Sequence, residues 1–319
     1  MTEESLKKLF KNIWEDIDQE NPTPDQWPLL AHYTSIRNLE NILRSEEIWF
    51  SHPRSMNDIS EQRFGFDKFR SIINYDHELE KSFQWKVGFS IFLGLFNQYC
   101  SLLDRGWFDN IYCFCLSEHE TNDQDGKLSM WRGYGANGSG VALVIDPKKV
   151  KGFIDPSIVF ARVKYPNEVF QTEWCKNIIK KFSDIVSEYK LGNNDKEVNQ
   201  LVDILFHRLR LASLYSKHFG FSEEKEWRLS CHKDSKYPSG EVVDQRYHIN
   251  ESGIFPTLKI KIIGSDQKLE DVIEMIIVGP TTASAMTKTA LEVMMRSMNK
   301  EALIPKIRLS SIPFRSSRS

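Results

Sequence analysis

Cysteine is scarce in this chain and forms no pattern. Five residues, Cys100, Cys113, Cys115, Cys175 and Cys231, are scattered over 319 positions, an odd number with no C-x-x-C pair. That argues against a disulfide framework and against a zinc site, and it suits a reducing cytoplasm. Long apolar runs are missing too. The longest, "VGFSIFLGLF" at 87–96, is too short to span a bilayer and reads as a buried helix. The opening "MTEESLKKLF" has no apolar core of the signal-peptide type. The expectation is a soluble cytoplasmic protein with no membrane partner. Neither sign of charge is in excess. Lys+Arg 42 against Asp+Glu 44 give -2, so no global basic field advertises nucleic acid and only a local patch could serve one.

The common catalytic signatures are also absent: no P-loop, no H-E-x-x-H, no G-x-S-x-G and no EF-hand loop. "GYGANG" at 133–138 matches G-x-G-x-x-G literally. A dinucleotide fingerprint needs a helix to follow, to meet the pyrophosphate, and here a β-branched strand follows, so a glycine-rich turn is the reading. Cys231 and His232 are neighbours that a strand would point to opposite faces, which disfavours a Cys–His catalytic pair.

What is present is core-forming material: 40% hydrophobic and 12% aromatic residues, with eight Trp and twenty Phe. An amphipathic helix is expected over 4–20, ended by the prolines of "NPTPDQWP". "LLAHYTS" reads as a strand passing through the cap residues Thr34 and Ser35 into a helix with Ile36, Leu39, Ile42 and Leu43 on one face. "IWFSHP", "NIYCFCLSE", "VALVID" and "IVFARVKYP" read as strands, the last two as a pair. "LKIKII", "VIEMIIVGP" and "IPKIRLSSIPFR" make a strand-rich end, with a helix at about 282–298. The fold class is α+β. The expected organisation is an N-terminal helix and Pro-rich connector over 1–28, then a single domain over 29–319. Helical insertions fall at about 67–103 and 166–219.

Four groups of residues could carry chemistry. In "FSEEKEWRLS" a strand would place Glu224, Glu226 and Arg228 on one face and Trp227 on the other; a solvated edge strand is the plainer account. His32, Tyr33 and Thr34 cluster at a strand end where a helix begins, and a hydrogen-bonded structural histidine is the plainer account there. Asn57, Asp58 and Glu61 lie on a loop entering a helix, where N-capping competes with a binding role. Trp131 and Tyr134 are either core or a stacking platform.

In order, "AHYTSIRNLENILRSEEIWFSHPRSMND", "MWRGYGANGSGVALVID", "EEKEWRL" and "IIVGP…IPFR" resemble the bacterial domain-of-unknown-function family numbered 2971 over about residues 29–315. Its members occur among predicted abortive-infection and phage-defence genes, which implies a toxin-like role and an antitoxin or phage-encoded trigger as partner. Ile59 stands where the family's "NDP" proline is expected.

"AHYTSIRNLENILRSEEIWFS" is also similar to the first strand–helix–strand unit of ADP-ribosyltransferases. That resemblance implies split β-sheets and NAD as substrate. It implies His32 as ribose holder with Thr34 assisting, Tyr33 beside them, Tyr134 or Trp131 stacking on nicotinamide, and Glu226 as the catalytic carboxylate. Glu224 would orient an acceptor, either nucleic acid or protein, with Arg37 or Arg132 near the phosphates and Arg228 among the cofactor-binding residues, partly neutralising the two acids. Trp49 or Phe50 stands where those enzymes place a tyrosine. Two rivals remain: a module that senses a nucleotide or phage protein without turnover, and a magnesium-dependent nuclease using Asp58, Glu61, Glu224 and Glu226.

Overall fold

The computed structural model describes residues 3–15, 22–53, 59–104, 110–155, 157–234, 244–250, 253–261, 263 and 267–314. The chain forms two compact units, one from Met1–Asn21, Arg54–Asp109 and Val163–Ser222, the other from Pro22–Pro53, Asn110–Arg162 and Glu223–Ser319.

The first unit is helical. Apolar residues at helical spacing bury one stripe of each helix, and the stripes meet in a core of their own. The helices Ile59–Tyr75, Lys86–Asp104, Glu168–Glu188 and Asp195–Leu214 supply most of it. Phe10, from the N-terminal segment, lies 5.0 Å from Phe182 by ring centroids, so the chain start shares this core with both expected insertions. The opening helix is shorter than the periodicity over 4–20 implies. It runs Glu3–Leu9 and tightens to 3-10 geometry at Phe10–Trp14; residues 16–20 lie outside the described residues.

The second unit is a mixed sheet: β1 (Leu29–Thr34), β2 (Ile48–Ser51), β3 (Ile111–His119), β4 (Val141–Ile145), β5 (Ile158–Arg162), β6 (Glu226–His232), β7 (Asp244–Asn250), β8 (Gly253–Ile260), β9 (Ile273–Val278) and β10 (Ile307–Leu309). The order is β10-β9-β4-β1-β3-β2-β8-β7, with β6 on β3 and β5 on β6. Among the described strands only β10 and β9 are parallel neighbours. Sheet plus helices confirm a mixed α+β chain. One pairing differs from expectation: β5 lies beside β6, and β4 sits between β1 and β9. Every residue of β4 is buried, so its side chains suit any strand neighbour and do not select one.

The sheet forks at β3. β1 pairs with Ser117–His119 and β2 with Cys113, both antiparallel to β3. Side chains alternate across each strand and directly paired residues share a face. One face carries Leu30, Phe50, Phe114, Leu143, Trp227, Leu258 and Ile276, covered by the helices Ile36–Ser45 and Ser284–Ser297 through Leu39, Leu43, Leu291 and Met295. The other face carries a smaller core of Ala31, Tyr33, Ala142, Val144 and Ile277 with Met130 and Trp131.

Candidate functional site

The site grows from the loop between β3 and β4. Asp123 Oδ1 accepts from the backbone N–H of Asp125 at 2.8 Å and Gly126 at 2.9 Å, which closes a tight turn. Gly126 has φ +71°, and a Cβ there would meet the Tyr33 hydroxyl at 2.7 Å, so glycine is required twice over. The turn delivers the Lys127 N–H to the Tyr33 hydroxyl oxygen at 2.9 Å. Burial pushes the Tyr33 phenol up to about 12, against the pull of that N–H. The short helix Leu128–Gly133 then buries Trp131, whose Nε1–H donates to the Asp125 carbonyl at 2.9 Å and whose ring meets Tyr33 edge-on at 4.9 Å. Trp131 is core, not a stacking platform, because both its ring and its N–H are used internally.

Tyr134 follows that helix, half-buried, and donates its hydroxyl to Glu224 Oε1 at 3.0 Å. Glu224 is not on a strand. It ends a 3-10 turn, Phe219–Glu224, and Lys225 then takes φ 44° before β6 begins at Glu226. Glu224 and Glu226 therefore do not share a strand face, which corrects the alternation read in "EEKEWRL". The turn is anchored by Ser117, whose Oγ–H donates to the Glu224 carbonyl, and by Glu118 N–H donating to the Lys225 carbonyl at 3.0 Å. Lys127 Nζ lies 3.4 Å from Ser117 Oγ and 3.3 Å from the Glu223 carbonyl. Burial first, then the Lys225 charge, lowers its pKa. The half-buried Glu224 carboxylate thus sits with a phenol donor on it and an ammonium close to its own turn.

Glu226 is in a different setting. Its two oxygens accept from Arg228 Nε at 2.6 Å and Nη2 at 2.9 Å, and the residues are 5% and 2% exposed. Cys115 faces them from β3, and burial, then the Glu226 charge, push its thiol well up. Arg228 is the buried partner of Glu226.

His32 faces away from both acids. Ala31 pairs with Ser117 and Ser117 with Glu226, so those three share a face; His32, one residue on, shares the other with Leu143 and Phe114. The expected meeting of His32 with Glu224 and Glu226 in one cleft is not formed. Instead His32 Nδ1 meets the Cys115 carbonyl at 3.0 Å, on the stretch of β3 that the fork leaves between β1 and β2. A carbonyl only accepts, so Nδ1 carries the proton, and burial lowers the ring to about 4. Thr34 accepts from Asn38 Nδ2 at 3.0 Å, and Ser35 caps the following helix by accepting from Asn38 N–H at 3.2 Å. Arg37 is exposed on that helix's first turn.

Asn57 and Asp58 lie outside the described residues; Glu61 falls in the helix Ile59–Tyr75, and its side chain lies outside them too. Phe50 is core, whereas Trp49 is half-buried on the opposite face. Arg132 is exposed, its guanidinium 5.4 Å from the Phe314 ring centre. Among the described residues no group of three His, Cys, Asp or Glu could hold a metal ion. Lys127 and Ser117 entered no sequence constellation. The alternation of "NIYCFCLSE" places Ser117 on the Cys115 face, but nothing in the chain order brings Lys127 to Glu223.

Residues 130–229 match the family described as "Protein of unknown function (DUF2971)", and the matched stretch holds Trp131, Tyr134, Glu224, Glu226 and Arg228. No curated protein and no solved structure matches the chain. No helix among the described residues is long and apolar enough to cross a membrane.

Proposed function

We propose that this chain is an ADP-ribosyltransferase-like enzyme that opens the nicotinamide–ribose bond of NAD, with Glu224 as the carboxylate beside the sugar. The observation that carries the reading is the Tyr134–Glu224 hydrogen bond, which fixes a half-buried carboxylate in the turn whose Glu223 carbonyl accepts from Lys127. When the bond breaks, nicotinamide leaves with the electron pair and the ribose carbon gains positive character. A fixed carboxylate stabilises that charge, and an ammonium nearby suits the phosphates. Glu226, its oxygens held by Arg228, shapes β6, and His32 closes the fork. The acceptor is water, nucleic acid or protein. A role in phage defence, with an antitoxin or phage-encoded trigger, follows from the same family resemblance.

Nicotinamide release from NAD by purified protein, with DNA, RNA or cell lysate as acceptor, tests the reading. Release that disappears in Glu224→Gln supports it; no release in any condition from folded protein overturns it. A second reading, a nucleotide-sensing module without turnover, is favoured by the closed Glu226–Arg228 pair and by His32 facing away. It predicts NAD binding without nicotinamide release, unchanged by Glu224→Gln.

A further inference from the structure

The far end of the sheet carries a second feature, on the face opposite the main core. Trp49 and Ser51 of β2 stand beside Lys259 and Thr257 of β8; Arg246 and His248 of β7 stand beside Thr257 and Phe255. Alternation places all seven on one side. Lys259 Nζ lies 4.4 Å from the Trp49 ring centre, and His248 meets the same ring edge-on at 6.1 Å. Trp49, Phe255, His248 and Lys259 are half-buried and Arg246 is exposed. In register, Asp244 of β7 pairs with Lys259 of β8.

Two polar atoms here have no hydrogen-bond partner although both are buried: Trp49 Nε1, a donor, and Thr257 Oγ1, on a residue only 3% exposed. Buried polar atoms of a sheet are ordinarily paired, and unpaired ones cost stability, so their persistence points to a ligand. Polar atoms, aromatic rings and cations together fit unstacked bases joined by phosphates. Rings stack on bases and cations track the backbone. A duplex keeps its bases stacked, so their faces are closed to these rings.

We infer that the β2–β8–β7 face binds single-stranded nucleic acid. The inference does not rest on the NAD reading. Fluorescence anisotropy with labelled oligothymidylate and oligouridylate of about twelve nucleotides, long enough for one such face, is the test. A duplex of equal length and AMP serve as competitors. The expected result is saturable binding to a single strand that weakens as salt rises and outcompetes both. Trp49→Leu should weaken it about tenfold or more. Because Trp49 is half-buried and its variant could misfold, Lys259→Gln and Arg246→Gln repeat the test at charged positions, and each should lower affinity and flatten the salt dependence. No binding to either strand, binding untouched by the charge variants in folded protein, or AMP competing as well as the strand would overturn the inference.

Discussion

Tyr134 and Glu224 are 90 residues apart in the chain and 3.0 Å apart in the fold. The contact ties the end of one short helix to the turn that precedes β6, and it holds Glu224 half-buried where Glu226 is buried against Arg228. A hydrogen bond to a charged acceptor contributes about 1.5–3 kcal/mol, some of which acts in orientation. Tyr134→Phe keeps the ring and deletes the donor. Nicotinamide release should fall about tenfold or more, with a loss of stability no larger than the bond itself. Parallel turnover and urea titrations separate the two effects.

Glu226 and Arg228 form a buried pair, and the consequence of breaking it follows from solvation. Removing one partner leaves the other charge in a site that cannot hydrate it, at a cost of about 3–5 kcal/mol. Arg228→Met should therefore lower the urea midpoint strongly. Glu226→Gln combined with Arg228→Met should recover much of the loss, since neither charge is then stranded. A double variant as unstable as the single would show that the surrounding hydrogen bonds, not the charges, set the cost.

Two glycines should respond in opposite ways. A Cβ on Gly140 would lie 2.2 Å from the Thr34 carbonyl, where β4 meets β1, whereas one on Gly133 would meet nothing within 4 Å. Gly140→Ala must displace backbone, so a cost of about 3 kcal/mol or more is expected. Gly133→Ala, at the end of an exposed helix turn, should be neutral or stabilise by about 0.5–1 kcal/mol. Thermal melts of the two variants side by side check both signs.

The local elements were legible because their signals are local. Ser35 reads as a cap and is one; Ile42, Leu39 and Leu43 share a stripe and are buried together. Neighbours in the sheet were not legible, since a fully apolar strand such as β4 accepts any partner. β7, with "DQRYHIN", has too little apolar alternation to announce itself. Glu224 was misplaced for a physical reason. The polar alternation of 221–230 runs on smoothly, and Lys225, which leaves extended geometry at φ 44°, is not a residue type that signals a turn. The facing of His32 was likewise hidden, because strand position determines which face a residue takes but not which strand lies beside it.

His32 gives the fold a dependence on pH. Burial lowers its pKa to about 4 from an ordinary 6.5, against the Cys115 carbonyl, which favours the charged ring. The unfolded chain thus binds a proton that the folded chain refuses between those two values. Stability from this group is complete above pH 6.5 and is lost as pH falls toward 4. The full span corresponds to about 3 kcal/mol, and by pH 5 about 2 kcal/mol should be gone. His119, also lowered by burial, acts in the same direction, so a wild-type profile alone cannot assign the effect. His32→Gln keeps a donor for the Cys115 carbonyl and removes the titration. Urea unfolding at pH 7 and pH 5 should show the variant losing about 2 kcal/mol less than the wild type between the two. Equal losses would mean that the ring takes up its proton in the folded state as readily as in the unfolded one, and that the fork at β3 admits water.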